Sequence, residues 1–149
     1  MDVMTPEERH RTMAAIRGRD TKPELFVRRL LWHMGYRYSV CSRRIPGHAD
    51  IWMRKYNTAI FVMGCFWHQH PGCRYASVPK SNVGFWQEKF GRNRQRDERV
   101  RDELAEKGIR QLVIWECTIN RMRRDEAVCN DTLASIMLFL ESDVQYMEL

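Results

Sequence analysis

The chain has 149 residues, 44% of them hydrophobic and 30% charged, which suits one soluble globular unit rather than a disordered tail or a fibrous repeat. The longest nearly apolar run, Ala59 to Trp67, is far shorter than the ~20 residues that span a bilayer, and the acids and arginines of the first fifteen residues are unlike a secretory signal. A cytoplasmic protein with no membrane partner is expected. The net charge of +6, carried by 20 arginines and 5 lysines, points to a polyanionic partner, because guanidinium forks match phosphate geometry and stack on bases.

Taken in order, Thr5-Pro6-Glu7-Glu8 joins a capping hydroxyl, an early proline and an acid, and predicts a basic helix to about Arg17. Thr21-Lys22-Pro23-Glu24 repeats the pattern before Leu25, Phe26, Leu30, Leu31 and Met34, with Gly35 as the stop. Short β-prone runs at Tyr36–Cys41, Ala49–Met53 and Thr58–Val62, broken by Pro46-Gly47 and Lys55-Tyr56-Asn57, predict a three-stranded meander. Met63 to Ser81 has no periodicity and reads as an irregular loop. A helix is predicted from Val83 to Lys107, closed by Gly108, with an inward stripe of Trp86, Phe90, Val100 and Leu104 that is interrupted by Asn93 and Asp97. Arg110–Trp115 reads as a strand and Asp125–Leu140 as a helix. The order ααβββαβα predicts an α/β or α+β sheet covered by helices.

The densest cluster of metal-ligand types is Cys65, His68, His70 and Cys73, a C-x2-H-x-H-x2-C run, with Cys117 just past the Arg110–Trp115 strand. Five cysteines in a chain without an export signal favour thiols or metal ligands over disulfides. Zinc takes four such donors, so a Zn²⁺ site drawn from these five would pin the loop to the core and leave one residue over. The plain alternative is a small core thiol with surface histidines. Cys41 and Cys129 read as inert buried thiols.

Asp50, beside the Pro46-Gly47 turn, is either a turn cap or a carboxylate placed near residues 62 to 64 by strand pairing, where it could hold Mg²⁺ for displacement at phosphorus. Asp97 lies among Arg92, Arg94, Arg96, Arg99 and Arg101 and is either an ion-pair partner or a site residue facing inward. Glu24 is either the acid of the Thr21 capping box or part of a site. Phe66 and Trp67 are either core plugs or wedges that enter a base stack.

With these residues assembled, the sequence resembles the very short patch repair endonucleases, bacterial enzymes that nick DNA at a T:G mismatch. The resemblance is carried by Arg11-Thr12-Met13, Thr21-Lys22-Pro23-Glu24, Ile45-Pro46-Gly47-His48-Ala49-Asp50, Ile60 to His68, Phe85-Trp86 with Lys89, Asn93, Arg96 and Asp97, and Val113-Ile114-Trp115-Glu116-Cys117. It covers roughly three quarters of the chain. It implies a restriction-endonuclease-like α/β fold, a central mixed β-sheet flanked by helices, with a structural zinc. It also implies Mg²⁺-dependent hydrolysis of one phosphodiester 5′ to the mispaired thymine.

Residue by residue, the resemblance implies that Asp50 and the Val62 carbonyl hold Mg²⁺. His68 is then the acid or base, supported by Asp97 and Glu24, while Cys65, His70, Cys73 and Cys117 hold Zn²⁺. Met13, Phe66 and Trp67 become wedges, and Lys89 and Asn93 reach base edges. Residues 1–20 become a DNA-contacting arm and 21–149 the endonuclease domain. The implied partners are T:G-mismatched duplex and other mismatch-repair proteins, with the enzyme acting at the nucleoid as a monomer.

One departure stands out: Met63 occupies the place of a histidine in the family's His-Gly-Cys-Phe-Trp-His run. Methionine transfers no proton, and such a loss costs about 10²–10⁴-fold in rate. His48 and Ala49 stand where the family has a basic residue and a proline, and Pro71-Gly72 alters the spacing to Cys73. Met63 therefore keeps open an alternative of another class, a zinc-stapled module that binds mismatched or distorted DNA without cutting it.

Overall fold

A computed structural model describes residues 5–8 and 20–149. The helix predicted from Thr5 is described only at its first turn, where Thr5 N donates to Glu8 Oε2 (2.8 Å) and Glu8 N donates back to Thr5 Oγ1 (3.1 Å), a reciprocal capping box. Its continuation to Arg17, and Met13 with it, lies outside the described residues.

Helix α1 (Lys22–His33) starts at Thr21, whose hydroxyl accepts from Glu24 N at 3.4 Å. The meander follows as β1 (Ser39–Val40), β2 (Ile51–Met53) and β3 (Thr58–Met63), paired antiparallel. β1 is shorter than the predicted Tyr36–Cys41 strand. Tyr36 N is held by the Leu31 carbonyl at the helix end, and Cys41 has a φ of 48°, which no extended strand tolerates. Helix α2 (Val83–Glu106) then leads to β4 (Arg110–Trp115), which pairs parallel with β3 from Thr58↔Arg110 to Met63↔Trp115.

Two elements go beyond the predicted order. Helix α3 (Glu116–Arg124) precedes α4 (Glu126–Glu141), and a final strand β5 (Tyr146–Glu148) pairs parallel with β4. The sheet order is β1-β2-β3-β4-β5. Arg110, itself buried, explains the return of the chain: its Nε donates to the Val144 carbonyl at 2.9 Å and its guanidinium reaches the Leu140 carbonyl at 3.2 Å at the end of α4.

Alternation along β3 and β4 sends side chains to two separate cores. Ile60, Leu112 and Ile114 pack with Val27 and Leu31 of α1, Ile119 of α3 and Ile136 of α4. Ala59, Phe61, Met63, Val113 and Trp115 pack on the opposite face with Leu104 of α2. Both faces are covered, which explains why the two parallel strands read as continuous apolar runs. The result is the expected mixed sheet flanked by helices, with α2 laid across the face toward which Met63 points.

Candidate active site and metal centre

The Pro46-Gly47 turn sets the position of Asp50. His48 N donates to the Ile45 carbonyl at 3.1 Å, and Gly47 has a φ of 78°, as the third residue of such a turn requires. A Cβ at Gly47 would lie 2.6 Å from Val100 Cγ1 and 3.1 Å from Phe61, so only glycine lets this turn seat against α2 and β3. Ala49, fully buried, anchors the chain, and Asp50 enters the sheet one residue ahead of the Ile51↔Ile60 pair. Its Oδ2 accepts from Val62 N at 2.7 Å. Burial, reinforced by the nearby Glu24 carboxylate, pushes the Asp50 carboxyl up to about 7 against the pull of the Val62 N–H, Arg28 and His68. A buried carboxylate whose charge is opposed by another acid is suited to a cation.

A cleft of about 550 Å³ opens here, lined by Glu24, His48, Asp50, Val62, Met63, His68 and Asp97, among others. His68 Nδ1 and Asp97 Oδ2 are 2.7 Å apart, both partly buried. Because a carboxylate oxygen accepts, Nδ1 is the ring nitrogen that donates to Asp97, and Nε2 is the one not engaged by that pair. Asp97 takes its inward position from α2, one turn past Asn93. The structure thus gives Asp97 the histidine-facing role and not that of an arginine partner.

The Glu24 carboxylate bonds to the backbone one residue before Thr21, so the reciprocal half of the Thr21 capping box is not formed. Glu24 is 4% exposed, accepts from Asp20 N at 2.8 Å and from Arg28 at 3.3 Å, and also walls the cleft. Met63 is buried among Phe61 and Trp115 yet lines the same cleft. Sequence reasoning assigns no role to Arg96, Arg99, Glu103 or Gln111, which also line it. Their signal was position alone, at helical spacing on the Asp97 side of α2 for the first three and on the Met63 side of β4 for the last.

The second cluster is Cys65, His70, Cys73 and Cys117, whose ligand atoms all lie within 4.8 Å of one another. His70 Nδ1 is 3.6 Å from Cys65 Sγ and 3.5 Å from Cys117 Sγ. Zn–S bonds of about 2.3 Å and Zn–N bonds of about 2.0–2.1 Å give tetrahedral S···N edges of about 3.6 Å, so the spacing fits zinc. Burial, with the Cys117 and Cys73 thiols beside it, pushes Cys65 up to about 12, whereas the Tyr75 N–H and the same thiol contacts lower Cys73. Three crowded sulfurs ionise together only around a cation. Burial lowers His70, which keeps its ring neutral and stacked on Trp115 at 4.0 Å between centroids. His68, the fifth ligand type, is turned to the cleft.

Between Cys65 and His70, Phe66 contacts Trp86 and Phe90 edge-on, and Trp67 lies 6.0 Å from Trp86 and under Lys89 Nζ at 5.5 Å. Both are half-buried in an aromatic cluster whose exposed member is Phe85, at 55%. Asn93 donates from Nδ2 to the Trp67 carbonyl at 3.0 Å and accepts from Arg96 at Oδ1 at 3.3 Å. Its amide therefore holds the loop that carries Phe66 and Trp67.

The family model described as DNA mismatch endonuclease Vsr matches residues 1–74. The type II nicking enzyme V.NmeAIP of Neisseria meningitidis serogroup A is 38% identical over 132 residues, covering 89% of this chain and 91% of that relative. The chain belongs to the Vsr family. The type II nicking enzyme V.XorIIP of Xanthomonas oryzae pv. oryzae is 40% identical over 126 residues, 85% of this chain and 92% of that enzyme. DNA mismatch endonuclease Vsr of Escherichia coli K12 is 38% identical over 129 residues, 85% of this chain and 82% of that one.

Proposed function

We propose that the chain is a Mg²⁺-dependent endonuclease that nicks one strand of duplex DNA 5′ to the thymine of a T:G mismatch. The observation that carries the reading is the His68–Asp97 pair, 2.7 Å apart, in one cleft with Asp50. A module that only binds distorted DNA has no use for an oriented imidazole beside a buried carboxylate.

Asp50 and the Val62 carbonyl would hold Mg²⁺, which when bound neutralises phosphate charge and activates water. Asp97 fixes the tautomer of His68, and Nε2 of His68 takes the proton of the attacking water. Glu24 supports that shell from the first turn of α1. Met63 contributes no proton transfer, so the rate is lower than a second histidine there would give. Cys65, His70, Cys73 and Cys117 would hold Zn²⁺ as a staple, with Phe66 and Trp67 presented between its ligands as wedges. Lys89 and Asn93 reach base edges once the amide of Asn93 leaves the Trp67 carbonyl. Met13 and the rest of residues 1–20 act as a DNA-contacting arm of a cytoplasmic monomer that works at the nucleoid beside other mismatch-repair proteins.

The test is an end-labelled T:G duplex incubated with the protein and Mg²⁺, beside its paired T:A counterpart. A single nick 5′ to the mispaired thymine is expected, absent from the paired duplex and from Asp50→Ala. Tight mismatch-selective binding with no product, even for Met63→His, would replace this reading with the binding module.

A further inference from the structure

Helix α2 carries a second depression, about 390 Å³, lined by Lys89, Arg92, Asn93, Gln95, Arg96 and Arg99. Arg92, Arg96 and Arg99 fall at i, i+4 and i+7, one face of the helix. Of these, Arg96 and Arg99 also line the cleft that contains Asp50, His68 and Asp97. The three arginines differ in their partners. Arg92 lies 4.0 Å from Glu88 and Arg99 lies 4.0 Å from Glu103, whereas among the described residues no carboxylate is ion-paired with Arg96. The partner of its guanidinium is the neutral amide oxygen of Asn93, at 3.3 Å.

An exposed arginine that meets a carboxylate-walled cleft without being neutralised by an acid is suited to an anion delivered from outside. A phosphodiester is such an anion, and the planar fork of arginine can engage two of its oxygens at once. We infer that Arg96 binds the non-bridging oxygens of the phosphate that is cut, and that Arg92 and Arg99 hold the neighbouring phosphates of the same strand along the α2 groove. The assignment rests on the nicking activity proposed above and names the group that receives the phosphate. Charge grows on those oxygens as water adds to phosphorus and the strand's 3′ oxygen leaves. Arg96 is then a catalytic residue as well as a binding one. Its bond to Asn93, which in turn holds the Trp67 carbonyl, ties the phosphate grip to the wedge loop.

The experiment uses the full chain with its zinc and a T:G duplex whose cut position has been mapped. At saturating DNA, Arg96→Ala should lower kcat by about 10²-fold, with Arg96→Lys intermediate, since lysine keeps the charge but loses the fork. Arg96 is exposed, so the fold should be little disturbed. Binding is then measured without Mg²⁺ to the same duplex carrying a neutral methylphosphonate at the cut position. Its effect on affinity should be about tenfold greater for the wild type than for Arg96→Ala, because only the wild type has a contact to lose. Arg92→Ala and Arg99→Ala should each flatten the slope of log affinity against log salt by about 0.9. Equal methylphosphonate effects in wild type and Arg96→Ala, or an undiminished kcat, would overturn the assignment while leaving the nicking activity in place. An uncut T:G duplex with the wild type would overturn both.

Discussion

Asp50 offers the most direct test, because its proposed role in holding a cation conflicts with the stability of the metal-free protein. Folded, its carboxyl titrates at about 7, against about 3.9 for an unfolded aspartate. The folded state therefore holds more protons than the unfolded state between those values. Stability should fall as pH rises from about 4 to about 7 and stay reduced above that. Three units at about 1.4 kcal/mol each amount to about 4 kcal/mol at pH 8. Asp50→Asn keeps an acceptor for Val62 N but removes the charge. In Mg²⁺-free buffer its Tm at pH 8 should exceed that of the wild type by about 8–16 °C, with the two converging near pH 4. Mg²⁺ should then stabilise the wild type at pH 8 by about 1.4 kcal/mol at ten times its Kd, a rise in Tm of about 3–6 °C, and leave the Asn variant unmoved. Differential scanning fluorimetry across pH 4–8 reads both effects. Equal melting curves for the two proteins at pH 8, or Mg²⁺ stabilisation of both, would refute the placement of a buried, cation-seeking carboxylate at Asp50.

Three further outcomes follow from the same geometry. Purified protein should contain one zinc per chain by atomic emission, and Cys65→Ser or a strong chelator should remove it together with nicking and a large part of the thermal stability. Gly47→Ala should destabilise by about 2–3 kcal/mol in chemical denaturation, since its Cβ would lie 2.6 Å from Val100 at a φ of 78°, and Val100→Ala should recover part of that loss. Asp97→Asn should lower kcat by about 10²-fold with little change in KM, whereas Met63→His should raise kcat by about 10²-fold at a measurable cost in Tm from burying an imidazole.

Local signals made most of the frame legible. The Thr21 cap and the glycine stops for α1 and α2, the apolar runs of β3 and β4, and the helical spacing of α4 placed five elements within a few residues. Helix α3 was not legible because it follows β4 without a turn and lacks a side-chain cap, Trp115 being its N-cap. Strand β5 depends on the buried Arg110 and on pairing between Trp115 N and the Leu149 carbonyl at 2.9 Å, contacts that no short window of sequence contains. The metal-ligand cluster was legible as a choice of four candidates from five, and the fold gathers Cys65, His70, Cys73 and Cys117 while His68 pairs with Asp97. Arg96 stands among the residues that carry the family resemblance, but no role could be read for it there, because the two depressions it lines exist only after α2 crosses the sheet.

Helix α2 bears Lys89 and Asn93 at one end of a short stretch and Asp97 at the other, with no break between them. Each residue inserted or deleted there would rotate one end against the other by about 100° and slide it about 1.5 Å. On the roles proposed for Lys89, Asn93 and Asp97, a change in the preferred DNA site must therefore come from exchanging side chains on a helix of fixed register. Any engineering of the preferred site is bound by the same ruler.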